Sequence, residues 1–264
     1  MKRVPLTFLG ALVVAAIAGI ALFLASSGPD EGAASSGAPI ADPAPAPTPA
    51  PSGGGSKATG GLRFPAKGNP LIGVLPDKRI EVHSSPGGKV VGELGDETEF
   101  GSPTVLSVQK QRGEWVGVPT PLLQNGHLGW VELDAKRLQA GAADYEIEID
   151  LSERSAKLLH GKKVERSWQV SVGLPETSTP TGRFAVTDTF EGELSSVYGC
   201  CAVAITARQP SLPPDWPGGD RIAIHGTDGP LGVAVSNGCV RSADEDVQAL
   251  IETVPLGTPV KIQN

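Results

Sequence analysis

The feature that most limits the fold of this chain is its density of turn-forming residues. The 264 residues include 34 glycines and 24 prolines, whereas aromatic residues make up only 5%. Glycine and proline interrupt regular structure and favour turns. From Gly68 onward the apolar residues fall in short runs separated by such turns, a pattern typical of β proteins. We therefore expect a mostly β fold, preceded by a disordered stretch.

The N-terminal segment is apolar and is followed by a proline-rich stretch. After the basic start Met1–Arg3, residues 4–25 carry no charge, and this length is nearer to the about 20 residues of a spanning helix than to a signal-peptide core. We expect residues 1–25 to be a membrane anchor, with a cleaved signal peptide as the alternative. The basic start predicts that the rest faces outward. Residues 26–67, rich in Pro, Ala and Gly, are predicted to be a disordered linker.

Charge and composition narrow the possible partners. The net charge is −7 and no basic cluster occurs, which argues against nucleic acid as a partner. The four histidines show no metal-ligand spacing with one another or with the three cysteines, so we expect no metal. We also expect no cofactor of another kind. Because a disulfide between neighbouring cysteines is strained and rare, we expect Cys200, Cys201 and Cys239 to be reduced or only reversibly oxidised. A redox lock of one of the pair on Cys239 is the alternative.

Residues 68–140 are predicted to form a small β module. Five short strand-like runs are separated by turn sequences, and Asn125-Gly126 is a strong hairpin signal. The runs cover residues 79–83, 89–94, 103–108, 114–118 and 127–133. The segments SSPGGKVVGEL and GHLGWVEL resemble bacterial SH3-like domains, which implies a small β-barrel. Trp115 and Trp130 belong either to its core or to a ligand groove.

Residues 144–264 are predicted to form a second, mostly β domain that ends with a short helix. Tyr145–Leu151 alternates apolar and polar residues, so one face of this strand should be buried. Ser242–Glu245 is predicted to be a capping box that starts the helix. The helix should bury an apolar face and be followed by a final strand. That face consists of Val247, Leu250, Ile251 and Val254.

A histidine and a cysteine lie on one short segment, Arg221–Arg241. His225 follows the apolar run Ile222–Ile224, which predicts a buried strand that places the imidazole near the strand end. Cys239 lies in the sequence SNGCVR. The thiolate is the reactive form of cysteine, and a neighbouring imidazole can take its proton. Gly238 leaves room for backbone N–H groups near a developing oxyanion. This pattern predicts a cysteine nucleophile.

The sequence IHGT followed by SNGCVR resembles the active-site signature of the YkuD family, the L,D-transpeptidases of bacterial cell walls. The resemblance implies that Cys239 is the nucleophile, that His225 is its base and that the carbonyl of Gly226 orients the imidazole. It also implies a β-sandwich catalytic domain over residues 144–264. Asn237 stands where the commonest family pattern has a histidine.

The resemblance further implies an oxyanion-binding and substrate-binding set around this pair. Its members are Ser236, Asn237, Gly238, Arg241 and Tyr198, the last on a flap over the active site. Arg241 and the start of the C-terminal helix are expected to lower the pKa of the Cys239 thiol.

The implied reaction is acyl transfer between peptidoglycan stem peptides through a thioester at Cys239, which cross-links diamino-acid residues in the cell envelope. Two alternatives are hydrolysis of the same thioester by an L,D-carboxypeptidase and a non-catalytic cell-wall-binding protein.

Overall fold

The computed structural model describes residues 61–192 and 194–264 and is mostly β with one short α-helix, as predicted. The predicted anchor, residues 1–25, and most of the predicted linker lie outside the described residues. No helix within residues 61–192 and 194–264 has both the length and the apolar character needed to cross a membrane.

The first part of the described chain forms two antiparallel sheets. Its strands are β1 (Asn69–Val74), β2 (Ile80–His83), β3 (Val90–Leu94), β4 (Val105–Ser107), β5 (Lys110–Arg112), β6 (Trp115–Pro119), β7 (Leu128–Glu132) and β8 (Leu138–Ala143). One sheet has the order β3-β2-β7-β6-β5 and the other the order β4-β1-β8. Each of the five predicted runs overlaps a strand. The sequence analysis missed β1, β5 and β8, because a mostly buried, a fully exposed and a small-residue strand show no clear alternation.

The core of this N-terminal module is aliphatic. Ile72 and Val116 are fully buried at its centre, and Leu62 and Phe64, from the predicted linker, also pack there. Trp130 is buried, and the half-buried Trp115 packs edge-on against the ring of His83. The packing of both rings favours a structural role over a ligand groove. Whether the module is SH3-like stays a prediction.

The second part contains an eight-stranded sheet and one helix. Its strands are β9 (Tyr145–Asp150), β10 (Ser155–His160), β11 (Lys163–Gln169), β12 (Val172–Gly173), β13 (Gly182–Glu191), β14 (Cys201–Arg208), β15 (Arg221–Gly226), β16 (Ala234–Ser236), β17 (Val240–Ser242) and β18 (Pro259–Gln263). The sheet order is β11-β10-β9-β18-β13-β14-β15-β17, and β12 pairs with β16. The helix α1 spans Asp244–Thr253, and two 3-10 turns span Pro175–Thr177 and Ser196–Tyr198.

The predicted alternation of β9 is present, since Ile147 and Ile149 are fully buried. The helix packs against β14 and β15, and it buries Val247 and Leu250 in the same core as Ile224. The strands on both sides of the active site are thus held by a continuous apolar core, which keeps the backbone there fixed.

The predicted capping box is wrong. The N-cap residue is Ala243, which makes no side-chain cap, and Ser242 is the last residue of β17. The Ser242 hydroxyl accepts a hydrogen bond from the indole N–H of Trp168 at 3.1 Å. Pairing of β17 with β15 holds Ser242 in the sheet, so its hydroxyl is used by the core instead of by the helix.

The two parts pack together, and all described residues fall in one compact unit. Arg221 Nη1 lies 2.5 Å from Glu99 Oε1, and the hydroxyl of Thr98 donates to the Asp188 carboxylate. Both contacts join the N-terminal module to the large sheet, so the module bears directly on the strands that lead to the candidate site.

Candidate active site

Two neighbouring parallel strands bring the predicted nucleophile and base to one place. In the pairing of β15 with β17, Ile224 lies opposite Val240 and His225 opposite Arg241. Cys239 immediately precedes β17, so it enters the sheet beside Ala223, whose backbone N–H faces the sulfur. Cys239 is the free cysteine among the described residues and is partly accessible.

The imidazole of His225 is held in one orientation. Its side chain is buried, with 3% exposure, and its Nδ1 lies 2.8 Å from the carbonyl oxygen of Gly226. A carbonyl only accepts hydrogen bonds, so Nδ1 carries the proton and Nε2 has a free lone pair. Burial lowers the pKa of His225, the hydrogen bond to Gly226 opposes that shift, and the charge of Arg241 adds to it. The ring is therefore a neutral base at neutral pH.

The pKa of the Cys239 thiol is raised, contrary to expectation. Burial is the largest cause, while the N–H of Ala223 and the charge of Arg241 act in the opposite direction. Arg241 thus lowers the pKa of Cys239 as predicted, but desolvation of the thiolate raises it by more. The resting pair is accordingly a neutral thiol and a neutral imidazole, and the thiol must lose its proton when it reacts.

The turn that carries Cys239 uses several of its own polar groups. The Ser236 hydroxyl donates to the carbonyl of Cys239 at 2.6 Å and accepts the N–H of Gly238 at 3.1 Å. Gly238 has φ of +113°, a conformation that L side chains rarely adopt. Two groups expected to face the oxyanion or substrate are thus engaged within the turn. The half-buried Asn237 belongs to the same turn, and its Oδ1 lies 3.5 Å from the hydroxyl of Thr177.

Tyr198 and Arg241 both lie near His225, and Arg241 is its register partner on β17. The Tyr198 ring stands edge-on to His225, with 5.0 Å between ring centroids. Burial raises the pKa of Tyr198, and the negative charge of a Cys239 thiolate adds to this shift, so the phenol lies near the sulfur. Arg241 Nε is buried without a hydrogen-bond partner among the residues that the structure describes.

Cys200 and Cys201 form a disulfide, so a reduced state is wrong for this pair, whereas reversible oxidation of the pair stays a prediction. The bond leaves Cys239 free, and no lock on the nucleophile is present. Neighbouring cysteines are brought together by the chain itself, with Cα atoms 3.8 Å apart, so the bond requires no distant segment to move.

Gln209 was missed by the sequence analysis. It is buried, with 4% exposure, and its side-chain amide donates to the carbonyl of Asn237 in the nucleophile turn at 3.2 Å. No local pattern marks Gln209 as functional, because it lies in an irregular, proline-rich loop between β14 and β15.

Residues 144–262 match the family model of the L,D-transpeptidase catalytic domain, YkuD. Together with the curated relatives, this match supports a YkuD-family L,D-transpeptidase catalytic domain in these residues.

Two curated relatives are YkuD proteins of Bacillus whose names assign them to the L,D-transpeptidases. The chain is 30% identical to the one from Bacillus licheniformis over 120 residues, which are 45% of this chain and 65% of that relative. It is 28% identical to the one from Bacillus subtilis over the same shares. An L,D-transpeptidase structure from Mycobacterium tuberculosis aligns with 18% identity and a TM-score of 0.42, covering 52% of this chain and 72% of that one. The chain thus covers just under two thirds of the two Bacillus relatives.

Proposed function

We propose that the protein is an L,D-transpeptidase that joins peptidoglycan stem peptides through a thioester at Cys239. The observation that carries the proposal is the parallel pairing of β15 with β17. This pairing sets the strand of His225, whose buried imidazole is oriented by Gly226, beside the strand that follows the free thiol of Cys239. A thiol nucleophile needs an adjacent base and an orienting group behind that base, and we assign these roles to His225 and to the carbonyl of Gly226.

In the first step Nε2 of His225 takes the proton of the Cys239 thiol as the sulfur attacks a peptide carbonyl of the donor stem. The C–S bond forms and the carbonyl oxygen becomes an oxyanion. Collapse of this intermediate breaks the C–N bond, and His225 returns the proton to the leaving amine. The products are a thioester and a free D-amino acid.

The oxyanion needs a donor near the sulfur. The N–H of Gly238 is already bonded to Ser236, so we assign this role to the N–H of Cys239 itself. The unpartnered Nε of Arg241 is suited to a substrate carboxylate, because guanidinium groups pair well with carboxylates. Tyr198, beside both reacting groups, forms one wall of the donor site.

In the second step an amine of the acceptor stem attacks the thioester and His225 acts as its base. Attack breaks the C–S bond and forms a new amide, and the proton returns to the sulfur. Water competes with the amine, so the acceptor must be held next to the acyl carbon. Such positioning can correspond to effective molarities of about 10⁵ M or more. Asn237, within the turn that carries Cys239, is the proposed anchor for the acceptor.

The substrate implies a location in the cell envelope, outside the cytoplasm. We propose that residues 1–25 either hold the protein in the membrane or are removed after export, and that stem peptides are the binding partners. N-terminal sequencing of the mature protein separates these outcomes, since cleavage would give a chain that begins near Ser26 or Ser27.

The test is the intact mass of the full-length protein, in detergent, after incubation with a stem tetrapeptide. We expect an acyl-enzyme, a cross-linked dimer and a free D-amino acid. A carbapenem should also add its mass to Cys239. Cys239→Ala should lose both adducts and keep its fold, because the change removes only a sulfur at a partly open site. A variant with Cys200→Ser and Cys201→Ser is the matched control and should still be acylated.

Two results would contradict the proposal. Tripeptide as the sole product, at every acceptor concentration, would identify a carboxypeptidase. Absence of any acyl-enzyme would leave a wall-binding protein.

A further inference from the structure

A buried glutamine, Gln209, donates a hydrogen bond to the turn that carries Cys239. The amide Nε2 of Gln209 lies 3.0 Å from the carbonyl of Thr177, 3.1 Å from that of Ser178 and 3.2 Å from that of Asn237. Its Oε1 accepts the N–H of Ser211 at 3.1 Å. One side chain therefore ties three segments together: the nucleophile turn, the 3-10 turn before β13 and its own loop.

The contact with the turn is close. A Cβ atom added to Gly238 would lie 2.2 Å from Nε2 of Gln209, so the glutamine packs directly under the residue next to the nucleophile. The carbonyl of Ser236 is held separately, because it accepts the Thr177 hydroxyl at 3.1 Å. Gln209 and Thr177 thus fix two successive carbonyls of the turn, and the turn has little freedom to rotate.

Gln209 is itself held by the N-terminal module. Arg208 immediately precedes Gln209, and the side-chain amide of Asn125 binds both the N–H and the carbonyl of Arg208. Its Oδ1 accepts the Arg208 N–H at 3.0 Å, and its Nδ2 donates to the Arg208 carbonyl at 2.6 Å. Arg208 Nε adds a bond to the carbonyl of Pro121 at 2.6 Å. This two-point grip imitates the pairing of a neighbouring strand at the place where β14 ends.

We propose that Gln209 is a positioning residue for Cys239, and that Asn125 of the N-terminal module holds Gln209 in place. This proposal rests on the proposed function, because the N-terminal module can align a nucleophile only if Cys239 is one. The chain of contacts runs from Asn125 through Arg208 and Gln209 to the carbonyl of Asn237, two residues before the sulfur. Gln209 does not touch the reacting atoms.

The main test compares two reactions of Cys239 in the full-length protein. Haloacetamide alkylation reports the thiol alone, because Cys200 and Cys201 are bonded to each other. Carbapenem acylation also requires alignment with His225. Gln209→Met keeps the length of the side chain and removes its donors. We expect acylation to fall by about 10- to 100-fold, since small misplacements have effects of that size.

Alkylation should respond differently. Burial raises the pKa of the Cys239 thiol, so a loosened turn should shift the alkylation profile towards lower pH. A residue that served only global stability would lower the unfolding midpoint and leave the profile of the folded protein unchanged. The matched control is Gln109→Met, because Gln109 also donates to a main-chain carbonyl, that of Arg183, on a path that does not reach Cys239.

A second pair of variants tests the module and keeps the proposal open to refutation if Gln209→Met does not fold. Asn125→Ala should shift the alkylation profile in the same direction as Gln209→Met and by less. Its control is Gln124→Ala, an exposed neighbour on the same turn.

The proposal is overturned if the Gln209→Met profile superimposes on that of the unmodified protein, or if Asn125→Ala behaves like Gln124→Ala. Alkylation needs no substrate, so it decides this question even if the protein is never acylated by a carbapenem or a stem peptide.

Discussion

Gly238→Ala offers a sharp test of the geometry around the nucleophile. The backbone at this position has φ of +113°, and strain of this kind costs of order 1–3 kcal/mol for a residue with a Cβ. The new methyl would also lie 2.2 Å from Nε2 of Gln209 and 3.1 Å from Cδ1 of Ile222. Ile222 belongs to the core and has little room to move, so the clash must be relieved by Gln209.

Displacing Gln209 weakens its hydrogen bonds to three carbonyls, each of which contributes roughly 0.5–1.5 kcal/mol net. Because two N–H groups serve these three acceptors, we count about 1–2 kcal/mol for their partial loss. Strain and displacement together predict that Gly238→Ala lowers the free energy of unfolding by about 2–5 kcal/mol.

The assay is urea unfolding followed by tryptophan fluorescence, for which the buried Trp168 is a suitable probe. Gly219→Ala is the matched control, since a Cβ there meets no atom within 4 Å and its φ is not in the left-handed range. That change should be neutral or stabilise by about 0.4–1 kcal/mol.

A double variant separates the two causes. Adding Gln209→Ala to Gly238→Ala removes the clash and keeps the backbone strain, so the double variant should be less destabilised than the sum of the single changes. Residues in contact show such coupling energies of about 0.5–3 kcal/mol. Equal stability of Gly238→Ala and Gly219→Ala would refute the argument, and strict additivity would remove Gln209 from it.

Two further predictions concern pH and an ion pair. Acylation by a carbapenem requires neutral His225, whose pKa is lowered by burial and by Arg241, so activity should persist as pH falls through 6.5, its ordinary value. Arg241→Ala should raise the pKa of both His225 and Cys239 and move the acid side of the pH–rate profile to higher pH, whereas Arg241→Lys should leave it in place. Acid sides that coincide in the Ala variant and the unmodified protein would contradict this. Asp246→Asn breaks a partly exposed ion pair with Arg166 and should lower the free energy of unfolding by about 1–2 kcal/mol, which urea titration measures; no change would show that the pair is not stabilising.

The parts of this protein that depend on local pattern could be predicted from the sequence. The alternation in β9 marked Ile147 and Ile149 as core residues, because a strand exposes its two faces in turn. The run before His225 predicted a buried strand with the ring near its end, and His225 does lie near the end of β15. The identity of the candidate nucleophile was visible because the needed chemistry, a thiol near an imidazole, lies within one short segment.

Details that depend on one contact were predicted less well. Serine is a residue type that often caps helices. The pairing of β17 nevertheless keeps Ser242 in the sheet, where its hydroxyl accepts a hydrogen bond from Trp168. Cys200 and Cys201 were expected to be reduced or only reversibly oxidised, because a disulfide between neighbouring cysteines is strained and rare, and the structure joins them. For Ser242, the pairing of β17 with β15 decides which group its hydroxyl binds.

The sequence by itself determined the β character of the chain, the position of its helix and the residues able to perform the chemistry. Tertiary structure alone decided the state of those residues. The raised pKa of Cys239 is a sum of desolvation and of contacts with Ala223 and Arg241, and no single segment contains all of these groups. The hydrogen bond from Gln209 to the turn joins positions 28 residues apart. The hydrogen bond between Asn125 and Arg208 joins positions 83 residues apart. Hydrogen bonds between such distant segments leave no periodic signal, because they are formed only when the packed core brings the segments together.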